Sequence, residues 1–273
     1  MIRLKKNTEY GIRITDYDLM TRTPIIAGNW KMHMTLEDAK DLVLGIHHTL
    51  KFPGNVDVVV APPFTALASV VDTLKESYID VAAQNLHEKD HGAYTGEVSG
   101  NFVKNAGANY VIIGHSERRQ YFHETNELIG QKITAALRND LIPILCIGET
   151  LEERSANEHF AVTEKQVTEA LKDFSELELE NMVIAYEPVW AIGTGEVATI
   201  EQIDEIHKHI RTVLGEMFSG SFADKVRIQY GGSVKPSNAK EILSLEHVDG
   251  ALVGGAALKA MDFIEIIKAA KAD

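Results

Sequence analysis

The sequence predicts an α/β protein built as a single closed (β/α)8 barrel. Short apolar runs recur along the chain, and each is followed by a stretch with helical spacing of its apolar residues. No break in composition divides these units into two domains. The polar residues that stand out fall just after the apolar runs, where the strands of a barrel deliver functional side chains to one face.

Eight apolar runs after Thr23 are predicted strands. They are IIAGN at 25–29, VDVVVA at 56–61, IDVAAQ at 79–84, YVIIGH at 110–115, IPILCIG at 142–148, MVIAYE at 182–187, VRIQYGG at 226–232 and GALVGG at 250–255. Most are continuously apolar rather than alternating, which is typical of parallel strands buried on both faces.

Helices are predicted between the strands, where charged residues occupy one side of an amphipathic pattern. The predicted ranges are 36–51, 125–139, 158–173, 200–218 and 261–270. Strand followed by helix, repeated eight times, favours a closed barrel over two doubly wound domains. An open parallel sheet with fewer strands remains the alternative, because periodicity does not separate short strands from buried helical turns.

Length, charge and cysteine content exclude several classes of protein. The 273 residues suffice for two ordinary domains or one α/β barrel, and a formal charge of −13 argues against a large basic surface for nucleic acid. The single cysteine, Cys146, excludes an internal disulfide framework and suits a reducing cytosol, so we expect a cytoplasmic protein. The sequence contains no apolar run of about 18 residues or more, so no membrane span is predicted.

Residues 1–22 form an N-terminal extension that we expect to lie outside the barrel domain, residues 23–273. The extension starts with basic residues but contains Glu9, Asp16 and Asp18 and has no apolar core, so it does not resemble a secretory signal. It has no strong helical or strand period, and Met20 is an alternative start.

Glu187 is the candidate general base. It ends an apolar strand and precedes Pro188, which keeps it extended. A carboxylate beside apolar walls is expected to have a raised pKa and to take a proton near neutrality. The alternative is a solvent-exposed acid at a strand end. The glycine-rich apolar stretch 189–195 predicts a mobile lid with Pro188 and Trp190 at one hinge, or else a rigid buried loop.

His115 is the candidate partner of that base. It follows a strand, and Ser116 is predicted to cap the next helix, with Glu117 in its first turn. The positive helix end disfavours an imidazolium and leaves a neutral ring that can donate a hydrogen bond to a substrate oxygen. A satisfied structural histidine is the alternative.

Two further groups point to an anionic substrate. Asn29 and Lys31 lie at the exit of the first strand, where Lys31 is more readily a fixed positive charge than a Schiff-base nucleophile or a surface lysine. Glycine-rich strand ends carry Ser233 and the pair Gly254 and Gly255, after the last two strands. Backbone N–H groups there can bind phosphate, although glycines that serve packing are the alternative.

Several long motifs, in order, resemble the triosephosphate isomerase family from Thr23 to the end of the chain. They are AGNWKM at 27–32, YTGEVS at 94–99, IGHSERR at 113–119, AYEPVWAIGTG at 185–195, YGGSV at 230–234 and GALVGGAAL at 250–258. The resemblance implies a TIM barrel that interconverts dihydroxyacetone phosphate and glyceraldehyde 3-phosphate through an enediolate. It also implies no metal or organic cofactor and a role in glycolysis and gluconeogenesis.

The resemblance also implies roles for single residues. Glu187 matches the catalytic base, and His115 a neutral electrophile. Asn29 and Lys31 match substrate contacts, and Glu117 a carboxylate that organises Lys31. The positions that match the phosphate-binding groups are Gly193, Ser233, Gly254 and Gly255.

The loop 84–97 resembles the family's dimer loop, with Thr95 near its tip, so a homodimer is expected. One departure from the family falls in the lid, where Glu196 and Val197 replace a common Lys-Thr pair. This departure puts the rate of lid motion in doubt but not the chemistry.

Two other classes compete with this interpretation. One is a different phosphate-binding barrel, such as a sugar-phosphate epimerase or a Schiff-base aldolase; the paired acids and metal-type histidines expected of such an epimerase are missing at the strand ends. The other is a non-catalytic scaffold, against which the joint presence of Asn29, Lys31, His115 and Glu187 argues.

Overall fold

Eight parallel strands close into a barrel in a computed structural model that describes residues 22–192 and 196–270. Each strand pairs with the next along the chain, and β8 pairs with β1, so that Ile25 lies opposite both Asp57 and Gly250. The strands β1 to β8 are Ile25–Asn29, Asp57–Ala61, Ile79–Ala83, Tyr110–Ile113, Ile142–Ile147, Val183–Tyr186, Arg227–Tyr230 and Gly250–Val253. The predicted (β/α)8 barrel is confirmed, and the open sheet is excluded.

Helices surround the barrel. Within the described ranges α1 to α11 are Leu36–Leu50, Phe64–Thr73, Gly100–Asn105, Ser116–Phe122, Asn126–Arg138, Leu151–Ser155, His159–Leu171, Ile200–Met217, Gly220–Ala223, Pro236–Leu243 and Ala260–Ala269. The five predicted helices correspond to α1, α5, α7, α8 and α11 within two residues at each end. Short helices such as α3, α6 and α9 were missed, because four to six residues are too few to display an apolar period.

Side-chain caps fix where several helices begin. Thr35 accepts a hydrogen bond from the backbone of Asp38 at the start of α1, and the Asp38 side chain bonds back to Thr35. Thr199 and Gln202 form the same reciprocal box at α8. Each such cap contributes about 1 kcal/mol to helix stability by satisfying N–H groups that the helix leaves open.

Apolar side chains fill two layers. Ile25 and Ala27 point into the barrel with other buried residues, whereas Ile26 packs outward against the helices. Burial on both faces explains why the strands are continuously apolar in sequence. Cys146 lies in the inner layer as a free, fully buried thiol.

The chain enters the barrel at its amino-terminal face. Arg22 donates there to the Asp249 carboxylate, to the Asp224 carbonyl at 3.1 Å and to the Glu246 carbonyl at 2.9 Å. Residues 1–21 of the predicted extension lie outside the described residues. Over the residues that are described, no helix has the length and hydrophobicity needed to cross a membrane.

Candidate active site

A cavity of about 630 Å³ opens at the carboxyl ends of the strands. It is lined by most of the residues singled out from the sequence, namely Asn29, Lys31, His115, Glu187, Ser233, Gly254 and Gly255. Glu117 does not line the cavity but contacts Lys31 from behind. Gly193, also predicted here, lies outside the described residues.

Glu187 leaves the end of β6 and is almost fully buried. Its carboxylate accepts two hydrogen bonds, from His115 Nε2 at 3.0 Å and from the backbone N–H of Ser116 at 3.1 Å. Neighbouring glycines make room for it, because a Cβ on Gly231 would lie 2.7 Å from Glu187 Cγ and one on Gly148 only 1.8 Å from the Glu187 carbonyl oxygen. Part of the glycine signal in the sequence therefore reflects packing around the acid.

The charge state of Glu187 differs from the sequence prediction. Burial raises the pKa of the Glu187 carboxyl, but the attraction of His115, the Ser116 N–H bond and the Lys31 charge together hold it below its ordinary value. The prediction of a raised pKa, which considered only the apolar walls, was wrong. Glu187 is consequently an ionised carboxylate at neutral pH, the form that a general base requires.

His115 is the N-cap of α4, where its Nδ1 accepts a hydrogen bond from the backbone N–H of Glu117 at 3.2 Å. The prediction that Ser116 caps this helix was wrong, because Ser116 is its first residue and gives its N–H to Glu187. With Nδ1 acting as an acceptor, the neutral ring carries its proton on Nε2, the nitrogen that faces Glu187.

Burial lowers the pKa of His115, yet the attraction of the Glu187 carboxylate outweighs burial and raises that pKa above its ordinary value. The Glu117 carboxylate adds a weaker attraction for the imidazolium, and the Lys31 charge opposes it. The prediction that the helix end disfavours the imidazolium considered the helix alone, and the direction of the pKa shift contradicts it.

Lys31 is held in an unusual conformation at the exit of β1. Its φ is 53°, in the left-handed region that a lysine rarely adopts. The Asn29 side chain accepts from the Lys31 backbone N–H at 3.0 Å, and the Gln84 amide donates to the Lys31 carbonyl at 2.8 Å. The ammonium lies 2.7 Å from Glu117 Oε1. These contacts stabilise the strained backbone and aim the charge at the cavity.

Another wall of the cavity is made of backbone and small side chains. Ser233 follows β7. Asn238, in the first turn of α10, donates a hydrogen bond from its side-chain amide to the Ser233 carbonyl at 3.0 Å. A Cβ on Gly254 would lie 3.9 Å from Lys31 Cε, and one on Gly255 would meet no atom within 4 Å. Gly254 and Gly255 thus leave open space beside the ammonium, as an anion site between these elements requires.

A buried carboxylate that sequence reasoning missed, Glu149, supports the start of the predicted lid. Its Oε1 accepts from Trp190 Nε1 at 2.8 Å and from the Tyr186 hydroxyl at 3.0 Å. Burial is the main cause that raises the pKa of Glu149. Residues Val189–Ala191 form a 3-10 turn here, and Gly193 and Gly195 of the predicted lid lie outside the described residues. The available signal was an acid two residues past the end of β5, close to the position that Glu187 has one residue past the end of β6.

The cavity thus combines an ionised carboxylate, an imidazole N–H and an ammonium around a space for a small anion. Together these groups can take a proton from carbon beside a carbonyl and stabilise the charge that develops on oxygen. In the described ranges, no group of three His, Cys, Asp or Glu side chains is arranged to hold a metal ion. Fold and cavity define a (β/α)8-barrel enzyme suited to proton transfer.

Comparison with known proteins identifies the family within this class of barrel enzymes. The family model described as triosephosphate isomerase matches residues 24–270. The triosephosphate isomerase of Fusobacterium nucleatum is 51% identical over 248 residues, which cover 91% of this chain and 99% of that protein. The enzyme of Moorella thermoacetica is 52% identical, over 90% of this chain and 98% of its own. The crystal structure of triosephosphate isomerase from Bartonella henselae superposes with a TM-score of 0.83 at 41% identity, covering 90% of this chain and 98% of that one.

The chain belongs to the triosephosphate isomerase family. A match over residues 24–270 includes all eight strands, from β1 to β8, and every predicted site residue.

Proposed function

We propose that this chain interconverts dihydroxyacetone phosphate and D-glyceraldehyde 3-phosphate, with Glu187 as the base and His115 as the electrophile. The observation that carries the proposal is the 3.0 Å contact between Glu187 and His115 Nε2 in the cavity at the carboxyl ends of the strands. Lys31 lines the same cavity, and the barrel matches the triosephosphate isomerase family. Acid–base groups of the chain suffice for the reaction, because each step moves only a proton.

The resting contacts of Glu187 define its first movement. Both carboxylate oxygens are occupied by His115 and Ser116, so the acid leaves these partners when substrate arrives. It then takes a proton from the carbon beside the substrate carbonyl, and the electron pair of that C–H bond forms the enediolate. The protonated Glu187 returns a proton to the adjacent carbon, so that the carbonyl and the hydroxyl exchange positions.

His115 and Lys31 stabilise the negative charge during these steps. The Nε2–H of His115, released from Glu187, donates to the substrate oxygen and moves protons between the two oxygens. The Lys31 ammonium adds a positive charge whose position Glu117 holds at 2.7 Å, and Asn29 fixes the backbone beside it at 3.0 Å. Such fixed donors are most effective in a site that excludes water.

The phosphate of the substrate binds, in this proposal, at Ser233, Gly254 and Gly255, together with Gly193. The open space at Gly255 and the nearby Lys31 stem support the location. The segment 189–195 closes over the bound substrate, with Trp190 hinged on Glu149. Closure keeps water out and protects the enediolate from losing phosphate.

The test is isomerisation of glyceraldehyde 3-phosphate by the purified chain, coupled to reduction of the product by glycerol-phosphate dehydrogenase, with Glu187→Gln as the matched control. We expect rapid turnover in the wild-type chain and its near-complete loss in the variant. A folded wild-type chain without turnover would favour the scaffold class instead.

The chain is also proposed to form a homodimer through the loop 84–97. Residues 91–97 are all exposed, whereas the base of the loop is held by Asp90, which accepts from Arg138 and Asn139 at 2.8 Å each. Large apolar side chains that are exposed in the single chain include Met32 at 93% and Phe102 at 59%. Apolar exposure beside a projecting loop is typical of an interface.

Thr95→Glu tests the dimer. Thr95 is exposed in the single chain, so the fold tolerates the added charge, whereas an interface that buries position 95 does not. We expect sedimentation to give a dimer for the wild-type chain and a shift to monomer with lower turnover for Thr95→Glu. Leu177→Glu, at a site that is 77% exposed and far along the chain, is the control. A monomeric wild-type chain would refute the dimer.

A cytoplasmic location and a role in glycolysis and gluconeogenesis accompany the proposed activity. Support for the location is indirect: one cysteine among 273 residues, itself buried and unpaired, suits a reducing compartment.

A further inference from the structure

A second cavity, of about 810 Å³, opens at the amino-terminal ends of β2 and β3, the opposite end of the barrel from the site. We name it the basal groove. Its apolar lining includes Phe52, Val56, Val71, Leu74, Tyr78 and Val81. In barrels of this class the amino-terminal face serves stability rather than chemistry, so a groove of this size has no part in the proposed reaction.

Two aromatic side chains at the groove are left uncovered. The Phe52 side chain is 57% exposed and that of Tyr78 is 64% exposed, and their rings meet edge to face with centroids 5.1 Å apart. Large aromatic residues exposed together beside a cavity are typical of a binding surface. The groove is therefore suited to an apolar segment of polypeptide.

Pro24, immediately before β1, lies next to this surface, whereas the Arg22 side chain turns toward the residues that precede β7 and β8. The backbone N–H of Asp57, a groove residue, donates to the Pro24 carbonyl at 2.9 Å. Asp57 also lines a smaller cavity of about 280 Å³ that Arg22 and Thr23 share. From β1 to β3 is two strand spacings, about 10 Å, whereas ten extended residues reach about 33 Å. The 21 residues that precede Arg22 are long enough to cross the groove.

We propose that residues 1–21 bind in the basal groove of their own chain. Apolar side chains of the segment, including Tyr10, Ile12 and Ile14, would cover Phe52 and Tyr78.

Charge favours the same occupant. The segment carries four basic and three acidic side chains in a chain whose formal charge is −13, and three of its basic residues lie among the first six positions. Three acids line the groove, Asp57, Glu76 and Asp80, against the single base Lys75, and of these acids Asp57 is already paired with Arg227 at 2.6 Å. A weakly basic segment is thus attracted to an acidic groove. The family match begins at residue 24, so this binding is separate from the proposed isomerase activity.

A thiol introduced at the groove tests the proposal, because the native Cys146 is fully buried and does not compete for reagent. Tyr78→Cys is made in the full chain and in a chain that begins at Met20, and the rate of reaction with a water-soluble thiol reagent is measured. Met261→Cys, at an exposed site at the start of α11, is the control in both chains. A third chain keeps its length but carries Ile12→Asp and Ile14→Asp.

We expect the thiol at position 78 to react about tenfold more slowly in the full chain than in the shortened one, as a groove covered in about 90% of molecules requires. The double aspartate chain should react at the fast rate, and position 261 should show no difference. Equal rates at position 78 in all three chains would overturn the proposal. Slowing that grows with protein concentration would also overturn it, in favour of a second copy as the occupant.

Turnover separates this proposal from the proposed function. The shortened chain should isomerise glyceraldehyde 3-phosphate at the rate of the full chain, because the groove and the active site lie at opposite ends of the barrel. Protection at position 78 would support the docking even in a chain without isomerase activity.

Discussion

Replacement of Glu187 by Asp is expected to lower kcat by about two to three orders of magnitude with little change in KM. The shorter side chain withdraws the carboxylate from the substrate carbon by more than 1 Å, and a displacement of this size costs about 100-fold or more in rate. Binding changes little because the proposed phosphate contacts are made by Ser233, Gly254 and Gly255. Steady-state kinetics in both reaction directions measure the effect.

A stability measurement serves as the control for this variant. Thermal unfolding of Glu187→Asp should remain a single transition close to that of the wild-type chain, because Asp retains the charge beside His115. Turnover within about threefold of wild type would remove Glu187 from the role of base, since the distance argument then fails.

His115→Gln gives the second large effect. Glutamine keeps an amide donor near the position of Nε2 but has no ring that can exchange protons between the two substrate oxygens. We expect kcat to fall by about 100- to 1000-fold, within the range that a positioned acid–base group contributes. Gln120→Ala, on the exposed side of the same helix, is the matched control and should retain turnover.

The pairing of His115 with Glu187 adds a second readout. Because Glu187 owes its lowered pKa largely to His115, its pKa in His115→Gln should rise, and the acidic limb of the free-enzyme pH–rate profile should move to higher pH. An unchanged acidic limb would show that His115 does not influence the base.

The barrel was predictable because its signals are local. Each strand is an apolar run bounded by turn residues, and burial on both faces makes the run continuous, as in Ile142–Ile147. Likewise, residues at the carboxyl ends of barrel strands lie on one face whatever their separation in sequence. The sequence alone therefore predicts that Asn29, His115 and Glu187 share that face.

What the sequence did not reveal depends on contacts between distant segments. The Ser116 N–H donates a hydrogen bond to Glu187, which is 71 positions away in the sequence, and Trp190 donates one to Glu149, which is 41 positions away. The sign of the Glu187 pKa shift follows from its contacts with His115, Ser116 and Lys31 rather than from burial alone. A strand-end acid shows where a carboxylate lies, but its partners decide its charge.

Transfer of hydrogen in heavy water tests the central claim most directly. Glyceraldehyde 3-phosphate bearing ordinary hydrogen is converted in D2O by the wild-type chain and by Glu187→Gln, and the dihydroxyacetone phosphate formed is analysed by NMR. While Glu187 is protonated, its carboxyl proton exchanges with solvent deuterium. We therefore predict deuterium at carbon 1 of the wild-type product and almost no product from the variant. Wild-type rates in Glu187→Gln, with the hydrogen fully retained, would contradict proton transfer by Glu187.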